Sequence, residues 1–249
     1  MAPKRPQGAG AKTSQGADHV PLSAPRAFGS PALYAALDLG TNSCRMLIAE
    51  PRGAGFHIVD SFSKSVQLGL GLERSGRLSR GSMMRTIQAL RICQQKLKRH
   101  RVKRMRLVAT EACRRALNAH EFIARVQRET GLHLDIIEPE EEARLAVISC
   151  APLVSRGTEN LLVVDIGGGS TELVWIDLSQ VPKHDRPEAI MRLHTGFKKG
   201  LSDVPEARVV DWISVPLGVA TLREHFNDVE DDAARFALMS WYFEENLAN

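Results

Sequence analysis

Asp38 and Asp165 each close an apolar run and open the pattern D-[LI]-G-x-x-S, as "DLGTNS" and "DIGGGS". Asp38 aligns with Asp165, Gly40 with Gly167 and Ser43 with Ser170, each pair 127 residues apart, so the chain is internally duplicated. The residue types suit phosphate chemistry. Glycine lets backbone N–H groups come close to an anion, and the hydroxyls of Thr41, Ser43, Ser170 and Thr171 can donate further hydrogen bonds. A strand-end aspartate can hold a hydrated divalent cation. Gly40, Thr41, Asn42 and Ser43 in one copy, and Gly167, Gly168, Gly169, Ser170 and Thr171 in the other, are therefore candidate phosphate-binding residues. Asp38 and Asp165 are candidate metal ligands. Two such turns facing each other would grip one phosphate chain; a plain tight hairpin, with its Gly and Asn serving the turn, is the competing reading for either copy alone.

The elements around these residues are strands. "CRMLIAE" follows one turn and "TELVWID" the other, both alternating like strands, whereas a P-loop needs G-K-[ST] and a dinucleotide fingerprint opens a helix. Residues 33–62 give three β-rich runs. A helix is expected over 78–98, a strand over 106–110, a helix through Phe122 and Val126, a strand over 132–137 and a helix from Pro139, which complete a mixed α/β domain ending near Cys150. Beyond the second turn come a polar stretch around 182–187, a β-like run near 190–194, the loop "GFKKGLSDVPEAR", "WISVPLG" and two helical stretches.

Three glutamates, Glu140, Glu141 and Glu142, open the helix at Pro139, where acidic side chains complement the helix dipole. Spacing alone assigns them no other role. The run 96–106, "KLKRHRVKRMR", carries seven Lys or Arg and no acid; it could steer a polyanion or simply offset the negative end of a helix.

Composition bounds the classes. Of 249 residues 43% are hydrophobic, enough for a sizeable core, and no apolar run approaches the roughly 20 residues of a membrane span. Residues 1–30, rich in Pro, Gly, Ala and Ser, read as a disordered tail without a secretory core segment. That tail holds four basic residues against Asp18, so the net charge of +4 leaves the body nearly neutral and gives no general preference for nucleic acid. Cys44, Cys93, Cys113 and Cys150 are scattered, as buried reduced thiols of a cytoplasmic protein would be. The expected domains are the tail, residues 31–150 and residues 151–249.

"ALDLGTNSCRMLIA", "LVATEACRRALNAHEFI", "IIEPEEEARLAV", "VVDIGGGSTELV" and "SVPLGVATL" occur in the order found in the exopolyphosphatase and guanosine pentaphosphate phosphohydrolase family, which this chain resembles from about Tyr34 to Leu222. The resemblance implies an α/β fold of two ribonuclease H-like (actin-like ATPase) domains with mixed sheets. It also implies a metal-dependent hydrolase that removes the terminal phosphate of inorganic polyphosphate or of guanosine pentaphosphate. By position, Glu142 matches the general base, Asp165 and Glu172 match residues that organise a divalent ion (Mg²⁺) and water, and Arg114 matches a phosphate-binding arginine. The family's later strands and its "GTSGT"-like segment have no counterpart here. The expectation is a piece of a longer chain, or one completed by a partner such as a second copy. A noncatalytic phosphate-binding module and a kinase or chaperone-type ATPase of the same superfold stay open as alternatives.

Overall fold

The computed structural model describes residues 32–53, 55–193 and 206–247, all within the compact unit Ala32–Asn249. The expected tail and most of "GFKKGLSDVPEAR" lie outside the described residues. The first sheet grows from β1 (Tyr34–Leu39), whose alternation buries Ala35, Leu37 and Leu39. β2 (Ser43–Arg52) pairs antiparallel with β1, and β3 (Gly55–Ser65) antiparallel with β2. α1 (Leu72–Ser75) and α2 (Arg80–Arg99) then carry the chain to β4 (Arg104–Ala109), which runs parallel to β1. The Ser79 hydroxyl accepts from the Ser82 amide and caps α2. α3 (Glu111–Arg115), α4 (Ala119–Thr130) and β5 (Asp135–Ile136) finish a five-stranded mixed sheet of order β3-β2-β1-β4-β5. The strand expected over 132–137 shrinks to two residues because β5 pairs only with Val108 and Ala109; Leu132, Leu134 and Ile137 still fill the core.

The second sheet, β6 (Asn160–Ile166), β7 (Thr171–Asp177) and β8 (Arg208–Val215), is antiparallel and three-stranded among the described residues. α5 (Pro139–Ser149), which the sequence suggests closes the first domain, sends Ala143 and Val147 into the core under this second sheet. The β-like run near 190–194 is instead helical, α6 (Arg186–Arg192): Pro187 occupies the first turn, where its missing N–H costs nothing, and Ala189 and Ile190 are buried. α7 (Val219–His225) and α8 (Asp232–Leu247) follow. All four cysteines are free thiols; Cys44, Cys93 and Cys113 are buried and Cys150 is half-buried. Among the described residues no helix is long and apolar enough to cross a membrane.

The basic run sits at the end of β4 remote from the turns, about 20 Å away for a six-residue strand. Part of it is already occupied: Lys96 and His100 reach Asp60 at 2.7 and 3.0 Å, and Arg106 reaches Glu141 at 3.1 Å. The Lys96 hydrogen bond holds the Asp60 carboxyl below its ordinary 3.8, so this tie stabilises the fold above that pH and is lost as the pH falls through the lowered value. Asp60→Asn should lower the urea midpoint at pH 7, and its difference from wild type should shrink as the pH is taken below about 3.8.

Candidate active site

The two turns are built alike. In each the glycine amide donates to the serine carbonyl three residues on, Gly40 N to Ser43 O at 3.0 Å and Gly167 N to Ser170 O at 2.9 Å. The ladders match as well, Asp38 opposite Arg45 and Asp165 opposite Glu172. The turns face one another in direct contact. A Cβ on Gly168 would lie 3.1 Å from Asn42 N and Cβ and 3.3 Å from Thr41 Cβ; one on Gly169 would lie 2.3 Å from Thr41 Oγ1. None of the glycines in the two turns has a positive φ, so Gly168 and Gly169 are required for closeness and not for turn conformation. Thr41 is also pressed by Gly69, whose Cβ would lie 2.4 Å from Thr41 Cγ2. Its Oγ1 is buried with no hydrogen-bond partner, a donor left for an acceptor such as a phosphate oxygen.

The triple glycine does a second job that sequence reasoning missed. The amides of Val219 (3.0 Å), Ala220 (2.9 Å) and Thr221 (3.2 Å) donate to the carbonyls of Gly167 and Gly168, so the turn caps α7. Gly218 makes this possible, since a Cβ there would lie 2.5 Å from Gly168 C and Gly169 N. The local signal was the Thr three residues after Gly218, whose hydroxyl accepts from the Gly218 amide at 2.7 Å. Glu224, further along α7, accepts from the Gly71 amide at 3.1 Å and ties the second lobe to the first.

Around the turns stand four carboxylates. Asp38, at the end of β1, opens to solvent between walls of protein; that surrounding mass, with Glu142 and Asp165 nearby and Arg45 opposing them, pushes its carboxyl up to about 6. Glu172 is buried on β7, accepts from the Ser214 hydroxyl at 2.9 Å, and is raised by burial and by Glu142. Glu142 arrives from α5, raised by burial against the lowering influence of Arg114 and the Thr110 hydroxyl. Its Oε2 lies 2.8 Å from Arg114 Nη2, yet no donor is aligned on that buried oxygen. The three glutamates of α5 thus part company: Glu140 is exposed, Glu141 pairs with Arg144 at 2.7 Å, and Glu142 turns to the site.

Two of the expected site residues have partners within the protein. Arg114 spends its fork inside the protein, donating to Glu111 Oε2 through Nε (3.2 Å) and Nη2 (2.9 Å) and to Ile137 O through Nη1 (2.7 Å), besides facing Glu142. These contacts place it beside the candidate base. Thr171 is fully buried and its hydroxyl donates to Leu217 O at 2.7 Å, so it secures the turn. Ser170 is buried against Glu172, while Gly40, Asn42 and Ser43 remain in the first turn, partly open or exposed. Oxygen donors alone make the set suited to a hard cation. Among the described residues no group of three or more His, Cys, Asp or Glu side chains is placed to hold one metal ion.

Two opposed turns of this construction, each at the head of a sheet, are the arrangement of the actin-like ATPase fold. The chain belongs to the Ppx/GppA phosphatase family, whose description matches residues 47–248. It is 34% identical over 205 residues, 82% of its own length, to a guanosine-5'-triphosphate,3'-diphosphate pyrophosphatase of Aeromonas salmonicida, and spans 36% of that relative. Among solved structures it is similar to the Aquifex aeolicus PPX-GPPA enzyme, at 31% identity and TM-score 0.60, covering 87% of this chain and 63% of that one. The likeness to a Cytophaga hutchinsonii exopolyphosphatase, 23% identical with TM-score 0.68 over 86% of this chain and 60% of the other, concerns the fold.

Gly218→Ala should destabilise the protein by about 1–3 kcal/mol, the usual cost of overpacking, because the atoms it meets are backbone and cannot swing away. Thermal unfolding beside Gly40→Ala, whose Cβ would meet nothing nearer than Ser43 O at 3.7 Å, checks this.

Proposed function

We propose that this protein is a cytoplasmic phosphoanhydride hydrolase that releases terminal orthophosphate from inorganic polyphosphate or guanosine pentaphosphate. The observation that supports this reading is the placing of Glu142, from α5, beside two touching phosphate-type turns within electrostatic reach of Asp38 and Asp165, where burial first and these like charges second raise Asp38 and Glu142. Glu142 is the base. Burial makes its carboxylate a better proton acceptor near neutral pH, and its ion pair with Arg114 holds it in one orientation. It takes a proton from water as the water oxygen bonds to the terminal phosphorus; the bridging P–O bond breaks and its electron pair leaves on the shortened chain. The turn amides and the Thr41 hydroxyl hold the phosphoryl oxygens. Asp38, Asp165 and Glu172 would hold Mg²⁺, which when bound neutralises charge on those oxygens.

Glu142→Gln should reduce Mg²⁺-dependent phosphate release from polyphosphate by at least about a thousandfold without lowering the thermal midpoint, a size typical of losing an essential base. Turnover close to wild type would reject the assignment; binding of polyphosphate without turnover by the wild-type protein would instead make it a binding module. Protonated Asp38 cannot attract a cation, so phosphate release should rise with pH through about 6. A rate already at its plateau at pH 5 would exclude a role for the Asp38 charge. Comparing orthophosphate release from polyphosphate and from guanosine pentaphosphate decides between the substrates.

A further inference from the structure

We infer that Glu111 is a positioning residue of this site, acting through Arg114 on Glu142; the inference rests on the hydrolase reading for its catalytic consequence but not for its geometry. Glu111 opens α3, directly after the strand end that supplies Thr110, and is only 7% exposed. A carboxylate is that deeply enclosed only when it is paired. Its Oε2 accepts from both Nε and Nη2 of Arg114, and its Oε1 lies 3.7 Å from Arg115 Nε. With Ile137 O taking Nη1, the guanidinium is fixed on three sides, and its remaining Nη2 edge meets Glu142 Oε2.

The order of these contacts matters. Glu142 is oriented by its ion pair with Arg114, and Arg114 is held by Glu111, so the orientation of the base is set two contacts back. Arg115 cannot substitute, since its fork is engaged with Glu73 at 2.5 and 2.9 Å. The opposing lobe supplies part of the enclosure: a Cβ on Gly169 would lie 3.1 Å from Glu111 Cγ, so the second turn rests against the Glu111 stem. Glu111 therefore touches both the turn contact and the arginine that holds the base, and links their placement.

The test measures phosphate release from polyphosphate of defined length with Mg²⁺. Glu111→Gln and Glu111→Ala should lower kcat about ten- to a hundredfold with KM changed less than about twofold, Gln retaining more than Ala, as for loss of orientation at the reacting centre. Adding Glu111→Ala to Arg114→Ala should cost nothing further. A kcat unchanged in Glu111→Ala, or the same factor lost in both backgrounds, overturns the inference. The second readout needs no turnover: the Arg114 Nε–H resonance in ¹⁵N NMR should be protected from exchange in the wild type and in Glu142→Gln and exchange rapidly in Glu111→Ala. Retained protection in Glu111→Ala overturns the placement. The expected exchange pattern in a wild type that releases no phosphate counts against the hydrolase reading and supports the placement of Glu111. Glu111→Gln, which keeps the shape and one acceptor oxygen, guards against a variant that merely fails to fold.

Discussion

The close approach of two glycine-bearing turns governs this molecule. Gly168 and Gly169 lie on Thr41 and Asn42 so closely that a single methyl carbon at either glycine would be in steric conflict, and Gly218 lies equally close behind them. At Gly168 the approach is limited by the main-chain nitrogen of Asn42 as well as by side-chain carbons, and at Gly169 by the buried Thr41 side chain, so the separation of the two sheets at this point is set by packing that has little room to adjust. Everything with chemical potential hangs from it. Asp38 and Asp165 sit two residues before their turn glycines, α7 starts on the carbonyls of the second turn, and Glu111 lies under Gly169. The glycines that a phosphate motif is expected to keep free for a ligand are, in this arrangement, first of all the joint between two lobes.

The two copies share their turn hydrogen bond and ladder positions and are unequal in charge. The residue across the ladder from the aspartate is Arg45 in the first copy and Glu172 in the second. Arg45 offsets part of the cost of ionising Asp38, whereas Glu172 is buried with hydroxyl partners and has Glu142 and Asp165 as electrostatic neighbours. Like charges held together in a half-enclosed space raise one another, and a fold selected for stability alone would have little reason to keep them. The asymmetry identifies the second sheet as the side on which negative charge is concentrated, while the aspartates of both turns are exposed.

The strands and turns were legible because alternation and a repeat at 127 residues are carried by the chain's own pattern. The actin-like class followed from the order of motifs. What sequence left unread was the consequence of distant packing. Three glutamates open α5 and look alike as dipole partners; only the direction in which successive helical positions point separates exposed Glu140, Arg144-bound Glu141 and site-facing Glu142. Gly218 and Glu111 lie inside family-like segments but received no role of their own, since the packing of each against the second turn is not visible in the sequence. Ile190 was read as strand because a short apolar run is ambiguous, and Pro187 decided it for helix by fixing the first turn.

Arg114 explains why a site for polyanions can be built mainly from acids. A guanidinium has five N–H donors, and here Glu111, Ile137 O and Glu142 leave it little to offer an incoming phosphate. Asp38, Glu142, Asp165 and Glu172 are then faced by Arg45 and by an arginine whose charge is already shared with Glu111. A phosphate tail approaching these carboxylates meets its own sign of charge, and hydroxyl and amide dipoles are too weak to reverse that at contact distance. Attraction on this reading has to enter with a hydrated divalent ion, so substrate and cation are expected to bind as one unit. The carboxylates that repel a bare phosphate are the same groups that would give the cation its preference for this place.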